Sequence, residues 1–214
     1  MGRLLNSLLS GSSGTVGRLV VANVFGNEIL RVRPQKRTGE ASAKQQLIQL
    51  RMDMGYNFLL PYIEFAKLYF GVRSGMKSRY NQAMSNVLNA FKLHYVLNVI
   101  TPVYSEIEFA RGSLLGAVPT GLTSTVAQTF TLDWFDNSGG NVLRQTDQIQ
   151  VLYVGDGEFR PVMMDNVATR LDASLDIPVP PNMQGKTLHV WVAFRSLDLK
   201  DVSLSTYVGT VLII

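Results

Sequence analysis

Thr187-Leu-His-Val-Trp-Val-Ala-Phe-Arg195 is the stretch on which the fold turns. Leu188, Val190, Val192 and Phe194 recur at every second residue, the period of a strand with one face on a core. The other face carries Thr187, His189, Trp191, Ala193 and Arg195. A tryptophan pointing outward from a sheet reads as an assembly contact; the same residue is core if helices cover that sheet. Outward from this strand the pattern continues. Residues 202–208 pair with it across a turn at 198–201. Upstream, Thr129-Phe-Thr-Leu-Asp-Trp134 alternates with Phe130, Leu132 and Trp134 on one face, and Asp136-Asn-Ser-Gly-Gly140 is a strong turn. Ile149, Val151 and Tyr153 alternate before the Gly155-Asp-Gly157 turn, and residues 171–177 form an extended run that stops before Pro178. With residues 107–109 this makes about seven short strands, the pattern of an immunoglobulin- or fibronectin-like antiparallel β-sandwich. The stretch is too short for a full jelly roll. Val211, Leu212, Ile213 and Ile214 are costly in water at a chain end, so they complete a sheet edge or enter a neighbour.

Residues 41–98 read as helical. Ala43, Leu47, Leu50 and Met54 mark one stripe at i, i+4, i+7 and i+11, and Tyr80, Met84, Val87 and Phe91 repeat that spacing in a helix over 78–94. Gly55 weakens the first helix, and Pro61 either kinks it or begins a new one. These helices are too few for a core of their own and pack on the hairpin, the β half or another subunit. Residues 1–40 hold two extended runs, Arg18-Leu-Val-Val-Ala-Asn-Val-Phe25 and Glu28-Ile-Leu-Arg-Val-Arg33, joined at Gly26-Asn27 as a β-hairpin. The chain thus reads as α+β in three parts: a Gly-rich arm and basic hairpin (1–40), a helical segment (41–100) and the sandwich (101–214).

Charge is split along the chain. Residues 1–100 carry thirteen Lys/Arg against four Asp/Glu, a net of +9, while residues 101–214 carry seven against twelve, a net of −5. This polarity suggests modules with different neighbours, or copies that attract head to tail. Arg31, Arg33, Lys36 and Arg37 are the candidates for contact with nucleic acid or an acidic partner, because counterion release needs clustered accessible cations. The remaining basic residues are scattered over helix faces, so complementary assembly surfaces are the preferred reading.

Catalytic signatures do not emerge. The chain has no cysteine, which removes disulfides, thiolate metal sites and cysteine nucleophiles. Its two histidines, His94 and His189, read as structural or surface residues, and Asp133, Asp136, Asp156 and Asp165 as solvated turn acids rather than a calcium site. Gly11-Ser-Ser-Gly-Thr-Val-Gly17 lacks the spacing and lysine of a phosphate loop and precedes a strand; Gly14 and Gly17 are assigned to a turn or arm that makes assembly contacts. No cofactor or small-molecule substrate is expected. Leu4, Leu5, Leu8 and Leu9 are interrupted by Asn6 and Ser7, so no signal peptide is recognised, and no stretch is apolar enough for a membrane span.

Several motifs occur together: Met1-Gly-Arg3, Gly14 with Gly17, Arg31-x-Arg33-Pro34, Gln45/Gln46 with Arg51, and Arg111-Gly-Ser-Leu114. Trp134-x-Asp136-Asn-Ser138, Leu188-His-Val-Trp-Val-Ala-Phe194 and Ser203-x-Ser205-x-Tyr207-Val-Gly209 complete the set. In this combination the chain resembles a family of unknown function from Bacteroidota and their phages and mobile elements. The resemblance implies a setting and no chemistry. The resulting expectation is a non-enzymatic structural subunit of a virion or surface assembly, cytoplasmic before assembly, whose partners are copies of itself or other structural proteins. Nucleic-acid binding through the basic half is the alternative.

Overall fold

The computed structural model describes residues 2–4, 9–24, 26–35 and 39–214. It is mixed α+β and divides into two compact units, Met1–Ser42 with Ser74–Met76, and Ala43–Arg73 with Lys77–Ile214. Helices and β half share a core in the second unit.

The first unit is a four-stranded antiparallel sheet of β1 (Gly2–Arg3), β2 (Gly14–Val16), β3 (Leu19–Val24) and β4 (Asn27–Val32), in the order β1-β4-β3-β2. The expected hairpin is β3–β4, with Val24 opposite Asn27. Gly17 takes φ 57° in the two-residue link from β2 to β3, a conformation that glycine reaches without strain.

In the second unit α1 (Ala43–Leu59) runs through a 3-10 turn, Leu60–Tyr62, into α2 (Ile63–Tyr69). Pro61 sits in that turn, where its missing amide costs no helical bond. α3 (Arg79–Ala90) begins at Ser78, whose Oγ accepts the Asn81 amide at 3.1 Å. It stops earlier than the spacing predicts: Phe91–His94 is β5, paired antiparallel with β6 (Val99–Pro102). The β-branched run Val99-Ile-Thr101 supplies a strand partner, and ladder bonds replace the last helical turn. β7 (Pro119–Thr123), β8 (Thr129–Trp134), the short α4 (Val142–Gln145), β9 (Gln148–Gly155), β10 (Val162–Met164), β11 (Ser174–Pro178), β12 (Thr187–Arg195) and β13 (Thr206–Leu212) follow.

These strands form two antiparallel sheets, β10-β9-β12-β13 and β11-β8-β7. Phe130, Leu132 and Trp134 of one meet Ile149, Val151, Val190, Val192 and Phe194 of the other, an arrangement compatible with an immunoglobulin-like sandwich. The larger sheet is also covered on its opposite face: Leu152, Val154, Trp191 and Ala193 pack with Phe58, Leu59, Met84, Val87 and Phe91. It is the middle of three layers, which is why β9 is buried on both faces. Two strand assignments are corrected. Residues 107–109 are not a strand, and residues 119–123 are. The partner of β12 lies at Thr206–Leu212 rather than 202–208, because Val202 bridges only Arg195 before the chain turns.

Gly112 lies against this last segment. A β-carbon there would sit 2.1 Å from the Val202 carbonyl oxygen, so only glycine allows the Arg111-Gly-Ser-Leu114 stretch to lie beside it.

The charge split also changes meaning. The first unit holds six Lys/Arg against Glu28 and Glu40, a net of +4, and the second holds fourteen of each sign. Within the second unit, residues 43–100 carry +5 and residues 101–214 carry −5. Much of the polarity is therefore balanced inside one folded body.

Candidate functional site

In the first unit, alternation sorts the side chains onto two faces. Val16, Leu19, Val21, Leu30 and Val32 share one face through the pairings Val16–Leu19, Leu19–Val32 and Val21–Leu30. Arg3, Ile29 and Arg31 share the other with Val20 and Ala22, and Arg33 continues that side. Among the described residues of this unit only Val21 is buried, and Val16 and Val32 remain 68% and 67% exposed. Arg3, Arg31 and Arg33 are exposed as well; Lys36 and Arg37 lie outside the described residues. Gly14 is in edge strand β2 and Gly17 in the turn after it, both exposed.

Trp191 is not an outward contact. It is fully buried, its Nε1 donates to the Tyr104 carbonyl at 3.2 Å, and its ring meets Phe58 edge-on at 6.2 Å. The tail also lies within the fold. Val211 pairs with Leu188, and the Ile213 amide donates to the Lys186 carbonyl at 3.0 Å. Val211 and Ile213 are buried and so are not assembly contacts, whereas Leu212 and Ile214 face solvent. Of the two alternatives for the tail, the structure takes sheet completion.

Beside Trp191 lies a polar cluster. His189 stacks on Tyr104 with ring centroids 3.8 Å apart, its Nδ1 is 2.8 Å from the Tyr207 hydroxyl, and its Nε2 is 3.5 Å from Asp156 Oδ1. With Nε2–H directed at the carboxylate, Nδ1 accepts from the Tyr207 O–H. Burial lowers the His189 imidazole below its ordinary 6.5, and Asp156 opposes the shift. Burial likewise raises the Tyr207 phenol. As pH falls, the unfolded chain takes up the histidine proton before the folded chain does. The stability held by neutral His189 is therefore complete above 6.5 and is lost as pH drops through that value toward the depressed folded one. The melting temperature should fall on acidification over this window, and less steeply in His189→Gln. An unchanged slope in that variant would contradict the assignment.

A second cluster was not found by sequence reasoning. Arg170 and Asp147 are both buried, with Nη2 and Oδ2 2.9 Å apart. The guanidinium also donates to the Leu115 carbonyl at 2.9 Å, the Arg144 carbonyl at 3.2 Å and Asn137 Oδ1, and it lies 3.9 Å from the Phe194 ring centroid. Burial raises the Asp147 carboxyl, and its bond to Arg170 opposes that rise.

Asp133, Asp136 and Asp165 are dispersed: Asp133 accepts from Ser174 Oγ, Asp136 from the Ser138 amide, and Asp165 pairs with Arg195 at 3.0 Å. Among the described residues no three His, Asp or Glu side chains are grouped to hold a metal, and no helix is long and apolar enough to cross a membrane.

A model of DUF6266, described as a family of unknown function, matches residues 11–209, nearly the whole chain. Among curated proteins none matches it.

Proposed function

We propose a structural role for this chain, which belongs to the DUF6266 family of unknown function: a non-enzymatic subunit that associates with copies of itself. One observation carries the reading. The N-terminal sheet keeps Val16, Leu19 and Val32 in water and buries only Val21 among its described residues. A small sheet gains stability by covering an apolar face, and each such side chain removed from water contributes about 1.5–3 kcal/mol. Its edge strand β2 is exposed throughout, leaving backbone groups open to pairing. A second subunit can cover both. The resemblance to a Bacteroidota and phage-linked family supports a virion component or surface assembly as the setting, with the chain cytoplasmic before assembly.

The test is light scattering on the purified protein and on Val16→Lys/Val32→Lys. The variant should show a lower mass at equal concentration, with association weakened at least about tenfold, or about 1.4 kcal/mol. A variant that matches the wild type removes the sheet from the account.

One observation favours nucleic acid as a second reading: Arg3, Arg31 and Arg33 lie exposed on one side of a unit with net charge +4. It predicts retention on DNA or RNA that weakens steeply with salt and is reduced in Arg31→Ala/Arg33→Ala. Absence of retention at low salt excludes it.

A further inference from the structure

The face of the middle sheet that meets the helices changes character at one end. Leu152 on β9 and Ala193 on β12 belong to the apolar contact. Two residues further along each strand, the same face carries Gln150 and Arg195, only 0% and 6% exposed. In the register Ala193 lies opposite Gln150 and Arg195 opposite Gln148, so Gln150 and Arg195 are diagonal neighbours. The Tyr69 ring of α2 covers the guanidinium, 5.7 Å from its Cζ. Polar groups buried in this way need hydrogen-bond partners.

The segment after β10 supplies most of them. Arg195 Nη2 lies 3.0 Å from Asp165 Oδ1, and it donates to Gln148 Oε1 at 3.3 Å and to Asn166 Oδ1. Donor chemistry then sets the rest. A guanidinium only donates, so Asn166 presents its oxygen, and Gln150 reaches that same oxygen with Nε2 at 3.0 Å. Gln150 Oε1 is therefore not the atom that meets Asn166. It is buried, as is Arg195 Nε, and neither has a hydrogen-bond partner among the described residues. One is an acceptor and the other an N–H donor. They belong to two side chains that already converge on one Asn166 oxygen.

We infer that this pair is a binding site for a single water molecule, which accepts from Arg195 Nε–H and donates to Gln150 Oε1. The class of ligand follows from the two atoms. The occupant must accept and donate at once, which water does and a halide or a carboxylate does not. The charge of Arg195 is met by Asp165, so the site does not call for an anion. Bridged in this way, β9, β12 and the segment at 165–166 are held together where the apolar contact with the helices ends. The water takes the place of a side chain at that corner.

The test is a high-resolution crystal structure of the wild type and of Gln150→Met, which removes the acceptor at similar volume. In the wild type one water should lie within about 2.7–3.2 Å of both Arg195 Nε and Gln150 Oε1. In Gln150→Met that water should be lost, while Arg195 keeps its bond to Asp165. In solution, oxygen-17 relaxation dispersion should count one long-lived water fewer in the variant than in the wild type. A direct bond between Nε and Oε1, or no density within hydrogen-bond distance of either atom, overturns the inference. So does anomalous signal at the site after a bromide soak, which would make it an anion site, and so does an equal count of long-lived waters. If Gln150→Met does not fold, the wild-type density decides alone.

Discussion

Replacing Arg170 with methionine should cost about 3–5 kcal/mol of stability in chemical denaturation. The change removes the partner of a buried carboxylate, and Asp147 stays behind uncompensated. It also leaves the carbonyls of Leu115 and Arg144 and the Asn137 side chain without this donor. Those groups come from separate segments, Arg144 from α4, held to one guanidinium, so the effect should spread beyond the ion pair. Against a total stability of about 5–15 kcal/mol for an ordinary domain, this loss brings the fold close to its threshold. The double variant Arg170→Met/Asp147→Leu should be more stable than Arg170→Met alone, because no buried charge remains. It should not reach the wild type, since the Leu115 carbonyl and the Asn137 side chain still lack their donor. A loss below about 1 kcal/mol in the single variant would mean that water reaches the site and that the pair is effectively at the surface.

Trp191→Ala should be comparably damaging, at about 3–5 kcal/mol. The indole fills the junction between helices and middle sheet, against Phe58 at 6.2 Å and Tyr207 at 5.4 Å. Its removal opens a cavity that a three-layer arrangement closes only by moving helices. Trp191→Phe keeps much of the volume and loses the bond to the Tyr104 carbonyl, so it should cost clearly less. Equal losses would assign the effect to the hydrogen bond and not to packing. Were Trp191 a surface contact, the alanine variant would melt like the wild type and lose only association.

The sequence carries the periods of β8, β9 and β12 and the turn of the β3–β4 hairpin, all local signals. It does not say what covers a second sheet face, and that decided Trp191. The clue was present: Trp191 and Ala193 on β12 and Leu152 and Val154 on β9 are apolar on the face away from the sandwich. Gly55 is similar. Read alone it is a weak point in a helix, but in the fold a β-carbon there would lie 2.9 Å from Leu88 Cδ2, so glycine permits the close approach of α1 and α3. The inner stripe of α1 is Leu47, Gly55, Phe58 and Leu59, and Leu50 faces solvent. Arg170 with Asp147, and His189 with Tyr207, join residues far apart in sequence and carry no spacing signature. For the candidate sites, the arginines were legible as clustered charge, whereas edge strand β2 was not, since Gly14 read as part of a turn or arm. The β5–β6 hairpin was hidden inside an apparently helical run, because Phe91 continues the spacing of α3 although it pairs with Pro102 in β5.

The central claim is self-association, and sedimentation equilibrium of the unmodified protein across the micromolar range tests it most directly. The account predicts an average mass that rises with concentration beyond that of one 23.7 kDa chain. A single species of monomer mass throughout that range would contradict it.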